Sequence, residues 1–153
     1  MGQRYDSSAI FFEDAGERPA QPSDPALHHE PHTYPGMRLP HAWLNTSIPQ
    51  EQVSTIDLAG KGRFTLFTGH GGEAWKSAAK ALTRALGVEV ATFQIGYGLE
   101  YEAVYNDWYR LREVEEDGCV LVRPDNFIAW RSQTVAPDCV ASLARVFRHI
   151  LSL

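Results

Sequence analysis

Residues 64–95, FTLFTGHGGEAWKSAAKALTRALGVEVATFQI, decide the fold class of this 153-residue chain. The apolar run at 64–68 predicts a strand. Residues 72–86 carry apolar side chains at helical spacing up to Gly87, and a glycine there is a typical helix stop. Residues 88–95 are rich in β-branched side chains and predict a second strand. A strand, helix and strand in succession indicate an α/β domain.

Further elements are predicted on both sides of this unit. Residues 54–58 predict a short strand before it, and the apolar spacing in residues 101–111 predicts a second helix after it. Residues 120–122 and 127–130 predict a hairpin around a Pro-Asp-Asn turn, and a closing helix begins at Pro137. This order predicts a thioredoxin-like fold over residues 54–153, with a mixed central sheet flanked by helices.

The first 53 residues differ in composition from the rest of the chain. They contain seven of the nine prolines, and no periodic apolar pattern persists in them. We therefore expect residues 1–53 to form a long extended proline-rich arm without regular structure. Apolar side chains such as Phe11, Phe12, Trp43 and Leu44 are costly to leave in water, at roughly 25 cal/mol per Å². The arm should therefore pack on something.

Charge and cysteine content exclude several classes of function. A net charge of −5, with 14 basic residues scattered along the chain, predicts neither a nucleic-acid partner nor binding to an anionic membrane. No apolar stretch approaches the roughly 20 residues that span a bilayer, so a cytoplasmic location is expected. Cys119 and Cys139 form no C-x-x-C pair, and both lie on apolar faces. We expect buried, reduced and unreactive thiols.

The loop from Gly69 to Ala74 has the pattern G-x-G-x-x-A between a strand and a helix, as in some dinucleotide sites. Glu73 would repel a pyrophosphate, and Glu89 lies at the wrong end of the next strand to hold a ribose. A tight structural turn is therefore expected. The loop also lacks the cysteine pair that disulfide exchange needs. A cleft near Gly69–Glu73 that binds a small ligand stays open as an alternative.

The remaining candidate metal ligands, catalytic acids and ligand-binding aromatic residues are all expected to have structural roles. The cluster His28-His29-Glu30-Pro31-His32, with His41 further on, offers imidazoles, but it lies in a proline-broken arm, so we expect no metal site beyond adventitious uptake. No hydrolase motif or catalytic triad is found, and Asp125 is interpreted as a turn acid. The four tryptophans are expected to be core and interface anchors.

Three blocks of the sequence resemble one known family as a set. They are RLPHAWL at 38–44, GRFTLFTG at 62–69 and RPDNFIAWR at 123–131. The chain resembles the C-terminal domain of FAD-dependent aromatic-ring monooxygenases of the phenol and 2,4-dichlorophenol hydroxylase type. The residues that carry this resemblance are Arg38, Leu39, Pro40, His41, Trp43, Asp57, Gly69, Trp75, Arg123, Pro124, Asp125, Trp130 and Arg131.

The resemblance implies a structural role. In that family, FAD, NAD(P)H and the aromatic substrate belong to upstream domains, so no catalytic, cofactor-binding or metal-binding residue is expected in this chain. Its implied partners are those upstream FAD-binding and substrate domains, with residues 1–53 linking from the substrate domain, and a second copy in a homo-oligomer. An independent small-ligand-binding module and a free-standing enzyme are the competing hypotheses.

Overall fold

The computed structural model describes residues 33–46, 52–104 and 107–151 of the chain. They form a mixed α/β structure, which confirms the predicted fold class. The elements are β1 Trp43–Thr46, β2 Gln52–Ser54, α1 Thr55–Leu58, β3 Phe64–Thr68, α2 Glu73–Leu86, β4 Val90–Gln94, β5 Tyr101–Ala103, α3 Asp107–Leu111, β6 Cys119–Val122, β7 Ile128–Ser132 and α4 Cys139–Ile150.

A four-stranded sheet in the order β4-β3-β6-β7 forms the centre. β3 and β4 are parallel and connected by α2, whereas β6 runs antiparallel to both β3 and β7. Leu66 of β3 lies between Thr92 of β4 and Leu121 of β6. The predicted strand–helix–strand unit, hairpin and closing helix are therefore all present. The thioredoxin-like assignment of this arrangement stays a prediction.

The two long helices end and begin where local chemistry predicts. Gly87 closes α2 in the left-handed conformation at φ 69°, which glycine adopts without steric cost. Asp138 caps α4, since its carboxylate accepts a hydrogen bond from the backbone N–H of Ala141 at 3.0 Å. The predicted start at Pro137 is thus one residue before the cap.

The central sheet separates two apolar cores. On one face Leu66 and Leu121 pack with the buried sides of α2 and α4. On the other face Phe67 and Val120 pack with Leu44 and residues of α3. Consecutive residues of β3 and β6 face opposite sides of the sheet. Residues 65–68 of β3 and all four residues of β6 are buried, as expected for strands that are covered on both sides.

A second sheet, in the order β2-β1-β5, covers the Phe67 face. β1 and the first two residues of β2 lie within the predicted arm, so the expectation of no regular structure up to residue 53 is wrong there. Leu44 is fully buried and pairs with Ala103 of β5, a partner far along the chain that no local pattern indicates. The division of the chain at residue 53 stays a prediction.

Two further sequence-based predictions are wrong. Residues 55–58 form α1 and not a strand, because Ser54 caps a helix: its hydroxyl accepts from Ile56 N–H, and the Asp57 carboxylate accepts from Ser54 N–H, each at 3.2 Å. This reciprocal capping box outweighs the β-branched composition. Tyr101–Ala103 is a strand and not a helix start, because it pairs with β1.

Candidate functional site

The residues that carry the family resemblance lie in separate places and form no single site. Arg38, His41, Trp43 and Asp57 lie around β1 and α1, where the Arg38 guanidinium stacks 5.2 Å from the centre of the Phe127 ring. The Leu39 N–H donates to the Asn126 carbonyl at 2.8 Å, and the Pro40 carbonyl accepts from Thr55 at 2.7 Å. Arg123 and Asp125 pair at 2.7 Å within the β6–β7 turn, beside Pro124. Trp130 and Arg131 lie on β7, whereas Gly69 follows β3 and Trp75 lies in the first turn of α2.

Internal packing explains why glycine occupies three positions of the β3–α2 loop. A Cβ atom on Gly69 would lie 2.7 Å from the Glu116 carbonyl oxygen, and one on Gly72 would overlap the Thr68 side chain. Gly71 has φ +80°, which disfavours other residues. The loop is pressed against the segment before β6, and Glu73 places a carboxylate in the first turn of α2. This arrangement favours a tight structural turn and does not fit the pyrophosphate of FAD or NAD(P)H.

The segment before β6 is held against the same loop by two hydrogen bonds. The Thr68 hydroxyl donates to the Gly118 carbonyl at 2.6 Å, and the Trp75 indole N–H donates to the Asp117 carbonyl at 3.0 Å. Trp75 also meets Trp130 edge to face, with ring centres 5.7 Å apart. These contacts make the loop and the start of α2 a rigid unit.

An open cleft of about 590 Å³ lies beside this unit. The His70 Nε2 atom and the Tyr97 carbonyl oxygen are 2.7 Å apart at its rim, and Arg112 stacks on the Tyr109 ring at 5.3 Å. The volume lies within the range of small-ligand sites, about 300–1,000 Å³. Only His70 comes from the loop that the sequence indicated. The lining residues are His70, Tyr97, Glu102, Ala103, Tyr109, Arg112 and Glu116.

His41, Ser54 and Asp57 come together but do not form a catalytic triad. His41 Nδ1 lies 2.6 Å from the Ser54 hydroxyl oxygen. Asp57 bonds to the backbone N–H of Ser54, whereas a triad acid would bond to the histidine ring. The Ser54 oxygen also accepts from Ile56 N–H. Ser54 therefore acts as the cap of α1, and His41 forms a hydrogen bond with this capping hydroxyl.

A buried cluster around Arg131 was missed by sequence reasoning. The Arg131 guanidinium donates to the Thr33 hydroxyl at 3.1 Å, lies 3.6 Å from the Glu113 carboxylate and stacks 5.4 Å from the centre of the Tyr34 ring. Burial lowers the pKa of Arg131, and Glu113 and Tyr34 act in the opposite direction. Thr33 also donates to the Arg112 carbonyl. No local sequence signal joins residues so far apart.

The tryptophans separate into two kinds. Trp75, Trp108 and Trp130 are at most 2% exposed, as expected of core anchors. Trp43 is 40% exposed on β1. Burial alone therefore accounts for three of them, and Trp43 has surface left for another contact.

Both thiols are buried and free, and we expect them to be unreactive in the folded chain. Burial raises the pKa of Cys119 well above its ordinary value and also raises that of Cys139, so little thiolate exists at mildly alkaline pH. Neither cysteine should react with a thiol-specific disulfide reagent at pH 8 before denaturation, and both should react after it. Rapid reaction of one thiol in the native protein would contradict this expectation.

Residues 33–46, 52–104 and 107–151 contain no cluster of three or more side chains able to hold a metal ion. The histidine cluster at 28–32 lies outside those ranges. Over the same ranges, no helix has the length and hydropathy needed to cross a bilayer.

Comparison with known proteins identifies the family. Residues 32–152 match the family of aromatic-ring hydroxylase C-terminal domains. The chain is 49% identical to phenol 2-monooxygenase from Pseudomonas sp. (strain EST1001) over 90% of its own length and 22% of the relative's. It is 43% identical to 2,4-dichlorophenol 6-monooxygenase from Cupriavidus pinatubonensis over 99% of its own length and 25% of the relative's.

Solved structures agree with these matches. The flavin-dependent monooxygenase PieE, crystallised with FAD and substrate, superposes with a TM-score of 0.87 at 43% identity, over 99% of this chain and 25% of that protein. An aklavinone-11 hydroxylase in complex with FAD and aklavinone gives 0.83 at 33% identity, over 100% and 27%. The chain thus spans about a quarter of the length of these relatives. It belongs to the family of aromatic-ring hydroxylase C-terminal domains, as its sequence resemblance predicts.

Proposed function

We propose that this chain is a non-catalytic C-terminal domain that braces the FAD-binding and substrate domains of an aromatic-ring hydroxylase and contributes to contacts between its subunits. The observation that carries the proposal is the coverage: nearly the whole chain matches only 22–25% of two relatives that are named as monooxygenases. The flavin, the nicotinamide cofactor and the aromatic substrate then belong to the upstream domains. The chain itself holds no cofactor or metal.

The polar contacts of the domain support this role. His41 bonds to the helix-capping Ser54, Arg131 bonds to Thr33 in a buried cluster, and Arg123 pairs with Asp125 in a turn. Each group is already engaged in holding the fold. In the proposed enzyme, residues 1–53 lead from the substrate domain to the domain at 54–153, and the last part of this connection, β1 and the start of β2, packs on that domain. The parent acts in the cytoplasm as a homo-oligomer without nucleic-acid or membrane partners.

Two measurements on the purified chain test the two halves of the proposal. After incubation with FAD and desalting, the chain should be colourless and should not oxidise NAD(P)H. Retained flavin absorbance with turnover would overturn the non-catalytic role. Light scattering over a concentration series should give a dimer at low micromolar concentration. A strict monomer at all concentrations would remove the subunit contact and leave a domain that braces only its own polypeptide.

The cleft at His70 favours a second candidate, a small-ligand-binding module. Its volume of about 590 Å³ and its mixed aromatic and charged lining are the specific observations in favour. A ligand of the folded state raises the unfolding midpoint by mass action. A fragment-library thermal-shift screen should then yield hits that disappear in Arg112→Met. A screen without such hits would leave the bracing role alone.

A further inference from the structure

Trp43 of β1 and Ile56 of α1 are exposed apolar side chains on adjoining segments of the chain. Trp43 is 40% exposed and Ile56 41%, whereas the other three tryptophans are buried. Trp43 lies opposite Ser54 in the β1–β2 pairing, and Ile56 follows two residues later in the first turn of α1. We call Trp43, Ile56 and the adjoining His41 the Trp43 patch.

The Trp43 patch is held rigid before any partner binds. His41 meets the Trp43 ring edge to face, with ring centres 4.8 Å apart and planes at 87°. His41 is held in turn by Ser54 at 2.6 Å, and Ser54 is fixed as the cap of α1. The Trp43 carbonyl accepts from Val104 N–H at 3.0 Å, which ties the strand down. A preorganised aromatic side chain loses little entropy on contact, which is the property of interface anchors.

We propose that the Trp43 patch is the surface on which the preceding part of the same polypeptide docks. This inference rests on the proposed function, because it requires a longer hydroxylase chain. Trp43 would be the anchor of that interface, Ile56 would extend its apolar centre, and the exposed His41 and Asp57 would lie at its polar rim. The expected partner surface is a shallow apolar pocket that accepts an indole ring.

The size of the patch favours a tethered partner over a second copy. An aromatic side chain buries at most about 250 Å², so two side chains about 40% exposed offer on the order of 200 Å². A free-standing dimer needs roughly 800 Å² from each partner. A partner on the same polypeptide needs less, because the connecting chain holds it at an effective concentration of about millimolar. The matched region makes up only 22–25% of the relatives' length, so each of them has further polypeptide on the same chain.

Val140 provides a matched control for Ile56. Both are β-branched, both are the second residue after a helix cap, and their exposures are 45% and 41%. Val140 lies on α4, on the opposite side of the central sheet. Ile56→Glu and Val140→Glu therefore introduce the same charge at two similar positions, of which only Ile56 lies in the proposed docking surface. Trp43→Thr keeps a strand-forming residue and serves as the second variant.

The test uses a hybrid protein in which this chain replaces the matching C-terminal part of the Pseudomonas phenol 2-monooxygenase. The release of FAD from the hybrid is followed on heating. The unaltered hybrid should retain FAD and hydroxylate phenol. Ile56→Glu and Trp43→Thr should each lower the midpoint of FAD release by several degrees, and Val140→Glu should leave it within about one degree. In the isolated chain, Ile56→Glu and Val140→Glu should have equal, small effects on the unfolding midpoint.

Each contrary result has a separate meaning. Equal effects of Ile56→Glu and Val140→Glu in the hybrid, with Trp43→Thr also harmless, would overturn the docking surface and leave the bracing role intact. A hybrid that holds no FAD would overturn the proposed function and the docking surface together. If Ile56→Glu converts the isolated chain from dimer to monomer by light scattering, the occupant is a second copy and the docking inference is wrong.

Discussion

Replacing Trp75 with alanine is expected to lower the free energy of unfolding by about 4 kcal/mol, the usual cost of removing a fully buried tryptophan. The side chain is 0% exposed, packs edge to face on Trp130 at 5.7 Å and donates to the Asp117 carbonyl at 3.0 Å. Its loss leaves a cavity between α2 and the sheet and frees the segment before β6. For a chain of this length the melting temperature should fall by roughly 8–16 °C.

Urea denaturation followed by circular dichroism measures this change, and Trp75→Phe separates its two parts. Phenylalanine keeps most of the apolar volume but has no N–H donor, so its cost should be about 1–2 kcal/mol, mainly from the unpaired Asp117 carbonyl. Trp43→Phe is the control, because the exposed Trp43 leaves no comparable cavity. A loss below about 1 kcal/mol for Trp75→Ala would mean that this core does not depend on the indole.

Replacing Arg131 with methionine should lower the free energy of unfolding by about 2 kcal/mol. The guanidinium is 3% exposed and connects Thr33, Tyr34 and Glu113. Its charge-assisted bonds would be lost, while methionine fills much of the volume. The Glu113 side chain is 39% exposed and can return to water, which keeps the cost below that of a fully buried pair.

The same substitution should also loosen the segment that Arg131 holds. The Arg38 side chain is exposed, but the nearby backbone is held: Gly36 N–H donates to Ile128 of β7, and Leu39 N–H donates to Asn126 in the β6–β7 turn. Trypsin should therefore cut after Arg38 slowly in the parent chain and several-fold faster in Arg131→Met. Arg84→Met, which removes an exposed arginine near the end of α2, is the control. Equal cleavage rates after Arg38 in both variants would contradict a clamping role for Arg131.

Elements with a strong local pattern could be predicted from sequence. β3, α2, β4, the β6–β7 hairpin and α4 all lie within one or two residues of their expected bounds. Their apolar patterns are accompanied by local boundary signals, such as Gly87 at the end of α2 and the Asp138 cap at the start of α4. Residues 54–58 are an exception, because Ser54 and Asp57 have the spacing of a capping box although a strand is predicted there.

The candidate sites were harder to predict, because they depend on contacts between distant residues. The glycines of the β3–α2 loop match a nucleotide motif in sequence, yet the structure shows the Glu116 backbone and the Thr68 side chain against them. The Arg131 cluster joins Thr33 to Arg131 across most of the chain. Neither arrangement has a periodicity or spacing that a sequence pattern can detect.

The sequence by itself determined the family, the α/β class and the main helices and strands, because these depend on side-chain periodicity and short-range capping. Tertiary structure alone decided that Trp43–Thr46 joins a second sheet, since its partner Tyr101–Ala103 is brought beside it only by folding. It likewise decided that Trp43 stays exposed while Trp75 and Trp130 are buried. The four tryptophans have identical intrinsic chemistry, and only the surroundings that folding gives each one make it a buried or an exposed residue.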